Sequence, residues 1–150
     1  MATNCSELRR IAKARLKSAE TLAKANDWHG AAYLLGYVLE CALKAVTCKT
    51  LHLITYPENT KYDKINSYFM THRFEQLLVV SGLEDIFSSR GPQQAWQNWS
   101  DFTLEYQNDW PSMRYDLKTV WNEVKVVKLY NNLTEPGDGI LTIIKKRKKW

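Results

Sequence analysis

Residues Trp28 to Val46 read WHGAAYLLGYVLECALKAV, and the fold class turns on this stretch. Its positions Trp28, Ala32, Leu35, Leu39, Ala42 and Val46 recur every three or four residues, the period of an α-helix. The opposite side, with Ala31, Leu34, Val38 and Cys41, is nearly as apolar. A helix apolar around most of its circumference belongs between neighbours, so this one is predicted to be the central element. One polar stripe interrupts it: Gly36, Glu40 and Lys44, spaced four apart. Asp27 stands where an N-cap is needed.

Working outward, Leu8, Ile11, Ala12, Leu16, Ala19, Leu22 and Ala23 predict a first helix from about Cys5 to Ala25, with Asn4 and Glu7 placed as a capping box. From Leu51 to Met70 the period fails and Pro57 interrupts, which predicts a long connection of the kind that acts or moves. A short helix from Thr71 points Phe74, Leu77 and Leu78 inward and stops at Ser81-Gly82, with a further turn through Ile86 and Phe87. Gly91-Pro92 opens another helix, whose ladder Trp96, Trp99, Phe102 and Tyr106 reads as core or dimer interface before base-stacking platform. Asp109-Trp110-Pro111 ends it, and Leu117, Val120, Trp121, Val124 and Val127 predict a helix to about Asn131. After the break at Glu135 to Gly139, a last amphipathic helix is expected from Ile140 to Lys149. No alternating pattern of a strand and no repeat is present. The expectation is all-α, an up-and-down bundle of four to five helices, in one domain over residues 1–150 with a basic tail at 145–150.

Composition agrees with a globular chain. At 150 residues it can bury roughly two-thirds of its unfolded surface, and 45% hydrophobic content with only 6 Gly and 4 Pro excludes disordered and collagen-like classes. The longest apolar run, Ala31 to Leu39, is about half a membrane span, and no apolar segment of a signal peptide follows the basic residues Arg9 to Lys17, so no membrane association and a cytoplasmic location are expected. Cys41 and Cys48 are seven residues apart on one helix, roughly 10 Å, too far to bridge. Together with Cys5 they are expected to be buried free thiols, and no zinc spacing occurs.

The net charge of +5 is uneven: +4 over residues 1–24, −4 over residues 25–144, and +5 over Lys145, Lys146, Arg147, Lys148 and Lys149. Basic ends on an acidic body point to a polyanion, since clustered cations gain by releasing counterions from phosphates. The plain alternative is a solvated helix face and a solubilising tail.

The stretch Ala19 to Val46, AETLAKANDWHGAAYLLGYVLECALKAV, resembles the helical pair of HEPN domains: a small-residue helix, an aromatic at the next helix start, and an E-x-x-L-K-A end matched by Glu40, Leu43, Lys44 and Ala45. Thr71-His72 followed by Leu77-Leu78, and Arg114-Tyr115, resemble later landmarks of that family. The resemblance implies a bundle of four to five helices that often dimerises. It also implies a role in nucleotide-linked or RNA-directed systems, beside a nucleotidyltransferase or in phage defence. Active members are metal-independent ribonucleases with an Arg followed by four to six residues and a His. This chain lacks that pattern: the positions five to seven before His29, His52 and His72 hold no Arg, and those after Arg114 hold Thr119, Val120 and Trp121, none of which shuttles a proton.

No phosphate-cradling glycine loop, nucleophile elbow or metal constellation is found, and neither cofactor nor metal is expected. The candidate ligand-binding residues are Glu40, Lys44, His72, Arg73, Arg114 and Tyr115, and the candidates for any catalysis are Arg114, Tyr115 and His72. Glu40 and Lys44, one turn apart, predict an ion pair, and a buried carboxylate would also call for a third charge such as Arg114. His72 reads first as a neighbour of a helix start, where the dipole opposes its protonation. The leading reading is a non-catalytic HEPN-like module binding a nucleotide, nucleic acid or protein partner as a homodimer. A ribonuclease toxin with an atypical site and a purely structural scaffold are the alternatives.

Overall fold

The computed structural model describes residues 3–57, 60–106, 110–116 and 118–148. Among them the secondary structure is helical: α1 (Cys5–Lys24), α2 (Trp28–Thr50), α3 (Asp63–Phe69), α4 (Phe74–Ser81), α5 (Gln93–Tyr106), a 3-10 helix (Trp110–Tyr115), α6 (Glu123–Thr134) and α7 (Ile140–Lys148). The all-α expectation therefore holds, and a single antiparallel bridge between Asn4 and Thr55 is the one strand-like pairing described.

Helix α2 is the centre. Of its 23 residues 14 are buried, and α1, α4, α6, α7 and the 3-10 helix all pack against it. Taken alone, α2 is long and apolar enough to cross a bilayer, contrary to the expectation from the apolar run; most of its apolar surface is covered by the other helices. The reversal between α1 and α2 is set by local chemistry. Asn26 adopts the left-handed conformation at φ 61°, which Asn tolerates. That lets the Asn26 N–H reach Ala23 O and the Asp27 N–H reach Leu22 O, while the Asp27 carboxylate accepts from the Gly30 N–H. At the start of α1, Asn4 Oδ1 accepts from the Ser6 N–H.

Helices α5, α6 and α7 complete the core, with Phe102, Leu129, Leu133, Ile140 and Ile144 fully enclosed. Asn98 on α5 fastens the α6–α7 connection: its Nδ2 donates to Glu135 Oε2 and Asp138 O, both at 2.9 Å. Its Oδ1 accepts from Asn132 Nδ2 at 3.1 Å.

Four expectations need correction. The connection from Leu51 to Met70 contains α3, a short helix with no buried residue, and within it Tyr56 is buried against the core. The helix expected to present Val120, Val124 and Val127 begins only at Glu123, because Asn122 caps it through the Lys125 N–H. Its buried face is Val126, Leu129 and Leu133, and Val120 and Val124 are 74% and 77% exposed. Two apolar stripes compete on this segment, and contact with α2 and α5 selects the later one; Leu117 lies outside the described residues. In the aromatic ladder of α5, Trp96 is 42% exposed, whereas Trp99, Phe102 and Tyr106 are buried.

The fourth correction concerns the cysteines. Cys5 and Cys48 form a disulfide with Cα atoms 5.9 Å apart, and Cys41 alone is a buried free thiol. The antiparallel α1–α2 pair brings the first turn of one helix to the last turn of the other. Closing a 43-residue loop constrains the unfolded chain by about 4 kcal/mol on a chain-entropy estimate. Denatured without reductant, the protein should show one thiol to Ellman's reagent, and three after reduction. Chemical denaturation of the Cys5→Ser, Cys48→Ser double variant should give a stability lower by about 2–4 kcal/mol. Three thiols in the unreduced protein would mean that the bridge does not form.

Candidate functional site

The polar stripe of α2 organises the site. Gly36 leaves a flat place on the helix where Trp110 lies: a Cβ built there would sit 3.0 Å from Trp110 Cε3 and 3.2 Å from Tyr106 Cε1. With the indole seated on Gly36, its Nε1–H donates to Glu40 Oε2 at 3.1 Å, one turn further on. The same oxygen lies 2.9 Å from His72 Nδ1, and Lys44 Nζ donates to Oε1 at 2.8 Å. Glu40 is 3% exposed, so its carboxylate is desolvated and held by groups from three places in the chain.

Aromatic rings cluster around Trp110. Tyr33 and Tyr37 flank Trp110 at centroid distances of 5.2 and 6.0 Å, Phe74 lies parallel to it at 6.5 Å, and His72 meets it edge-on at 6.4 Å. Lys44 Nζ also stands 5.2 Å from the centre of the Tyr56 ring. The opposite end of the 3-10 helix is fixed by His29, whose Nε2 is 2.9 Å from Met113 O.

Burial, the neighbouring Cys41 and the charge on Glu40 push the Tyr37 phenol up to about 12. Burial and Glu40 likewise raise the Cys41 thiol to about 11. Tyr106, fully buried and donating to Ala32 O at 2.6 Å, is raised well above its ordinary value by burial first.

The structure brings together three of the six predicted ligand-binding residues: Glu40, Lys44 and His72. Arg73 is exposed, with its N–H donating to Thr71 Oγ1. Arg114, the expected third charge on Glu40, does not fill that role: its Nε donates to Pro111 O at 3.2 Å and its guanidinium lies 5.4 Å from the ring centre of Tyr115. Tyr115 is 84% exposed, and no described contact joins it to His72 or Glu40. Trp110 takes the place foreseen for Arg114. Its position beside Pro111 in a helix-ending signal concealed this role, as did the distance of 70 residues from Glu40. Chemically, the carboxylate fixes one imidazole nitrogen of a half-exposed His72, an orienting pair, while every described donor to Glu40 serves to satisfy a buried charge. Among the described residues no group of three or more metal-ligating side chains converges.

A second feature is cationic. Arg10, Lys13, Lys17 and Lys24 recur at helical spacing along α1 and are exposed. On α7 the apolar residues Ile140, Leu141, Ile143 and Ile144 are buried, and Lys145, Lys146 and Arg147 face solvent. Lys148 ends that helix, and Lys149 lies outside the described residues. Among the described residues none of these seven exposed cations is ion-paired; the surface pairs lie elsewhere, such as Lys125 with Glu105 and Lys128 with Asp101.

Two predictions test the Glu40 site. Trp110→Phe keeps an aromatic ring but removes one of the two nitrogens that meet Glu40 Oε2, and should destabilise the fold by about 1–3 kcal/mol in urea unfolding. Arg114→Leu should change it by less than about 0.5 kcal/mol; equal small losses would show that the indole bond contributes nothing. The second is alkaline. The folded state holds the Tyr37 proton more tightly than the unfolded chain, so this contribution is complete below pH 10 and is lost as pH rises through about 12. Tyr37→Phe should therefore lose less melting temperature than the parent between pH 10 and 12, and an identical decline in both would assign the loss to other groups.

No protein-family model matches this chain, and searches of curated proteins and of solved structures return no match.

Proposed function

We propose that this chain is a non-catalytic, HEPN-like helical module that binds a nucleic acid through its two cationic surfaces. The observation that carries the reading is the set of unpaired exposed cations on α1 and α7. Like charges held side by side without carboxylate partners repel one another, and that cost is relieved when phosphates replace their diffuse counterions. Their helical spacing sets them along a line, which suits a strand of phosphates better than a compact ligand.

The non-catalytic half of the proposal rests on the engagement of the candidate catalytic groups. Arg114 and Tyr115 are occupied with each other and with Pro111 O, apart from His72, and no imidazole stands at ribonuclease spacing from an arginine. The likeness of Ala19–Val46 to HEPN helices supports an RNA-directed role beside a nucleotidyltransferase partner. It also supports a homodimer, for which the apolar cleft between α4 and α5, with Trp96 and Leu104 exposed, offers a surface to bury.

Fluorescence anisotropy with a single-stranded RNA of mixed sequence, from about 50 to 200 mM salt, tests the proposal. Binding should weaken steeply with salt and show little sequence preference, since phosphate contacts carry no base information. Replacing Arg10, Lys13, Lys17 and Lys24 together by Gln should lower the log–log slope by about 2–3, at about 0.7 for each phosphate of a single strand that is no longer neutralised. Unchanged slopes in this variant and in the Lys145→Gln, Lys146→Gln, Arg147→Gln variant would overturn the reading. Metal-independent cleavage of the RNA that disappears in Arg114→Ala would restore the ribonuclease alternative.

A further inference from the structure

A cleft of about 370 Å³ opens over the disulfide, lined on one side by Ser6 and Arg9 of α1 and on the other by Lys49, His52 and Leu53. Ala45 and the Cys5–Cys48 bridge form the rest of its wall, and among the described residues no acidic side chain lines it. Three basic residues from segments some forty positions apart in sequence thus share one concave surface. The residues of the α1–α2 turn and of the cationic surfaces described above take no part in it.

The cleft is held in shape before any ligand arrives. The disulfide crosses it, the Cys5 N–H donates to Ile54 O at 2.9 Å, and the Tyr56 N–H donates to Thr3 O at 2.9 Å. His52 sits at φ 55°, in the left-handed conformation that usually falls to glycine. This conformation ends α2, with the Leu53 N–H reaching Cys48 O, and sets an imidazole beside the cleft where glycine would leave no side chain. The backbone donors of the first turn of α1 are already committed to Asn4 and Ile54, and Ser6 Oγ is engaged with Asn4 Oδ1. Recognition therefore falls to the side chains of Arg9 and His52.

We propose that this cleft binds a phosphomonoester, its phosphate held by Arg9 and His52 and its carbon body lying on Ala45, Leu53 and the disulfide. A doubly charged tetrahedral oxyanion can accept from several donors at once, and the arginine fork suits two of its oxygens. The volume falls at the lower end of small-molecule sites, more than a bare phosphate fills, and the apolar wall accounts for the remainder.

Calorimetric titration at constant ionic strength, with phenyl phosphate and inorganic phosphate as probes and no nucleic acid present, tests this independently of the polyanion reading. Phenyl phosphate should bind at least tenfold more tightly than inorganic phosphate. Arg9→Gln and His52→Asn, the latter chosen because Asn accepts the same backbone conformation, should each weaken it at least fivefold. Lys64→Gln on α3 should leave it unchanged, and melting curves should show all three variants folded. Absence of phenyl phosphate binding at millimolar concentration, equal affinity for the two probes, or equal affinities in Arg9→Gln and Lys64→Gln would each overturn the proposal.

Discussion

A buried carboxylate governs the architecture around α2. Glu40 sits on the most enclosed helix, where an unsatisfied charge would cost several kcal/mol. It is tolerated because Lys44, His72 and Trp110 each present a nitrogen within 3.1 Å. Those partners are not interchangeable. Lys44 comes with the helix itself, one turn away, but His72 fixes the approach to α4 and Trp110 fixes the 3-10 helix. Gly36 makes the last of these geometrically possible, since any side chain there would lift the indole away from the helix. One acidic residue therefore sets the positions of two later segments, and the ring cluster of Tyr33, Tyr37, Phe74 and Trp110 packs around the result.

A second constraint acts at the other end of the α1–α2 pair. The tight turn at Asn26 starts the antiparallel arrangement, and the Cys5–Cys48 bridge closes it. Between these points the small residues Ala12, Ala19, Ala31, Ala42 and Ala45 are buried. Small side chains bring helix axes close, which strengthens the dispersion attraction along each turn. The chain leaving α2 is then tied back to residues 3–5 through Ile54 and Tyr56. Both helices are thus fixed at their far ends, and the cleft over the disulfide is a consequence of how they meet.

Charge is distributed by the same logic. Several carboxylates find partners within the fold: Glu40 as described, Glu20 with Tyr130, and Glu135 with Asn98. The exposed cations of α1 and α7 have no ion-pair partner among the described residues. These basic surfaces therefore keep their charge facing solvent, and it is that charge, rather than the Glu40 cluster, that the proposed polyanion contact would use.

Much was legible in the residues alone. The two-sided apolar pattern of Trp28–Val46 called for a helix covered on nearly every side, and the periodicity before and after it supplied the amphipathic helices that cover it. The spacing of Glu40 and Lys44 set their ion pair, and the order Ile140 to Arg147 separated a buried face from exposed charge. The disulfide was within reach too: Cys5 lies 21 residues before Asn26 and Cys48 lies 22 after it, so an antiparallel pair turning at Asn26 sets them side by side. What tertiary structure alone decided is which distant groups meet. Trp110 instead of Arg114 at Glu40, Val126 instead of Val124 in the core, and Arg9 with His52 over the disulfide all depend on packing across many residues. Sequence spacing constrains neighbours one or two turns apart, whereas pairings between segments are settled by which surfaces exclude water most completely.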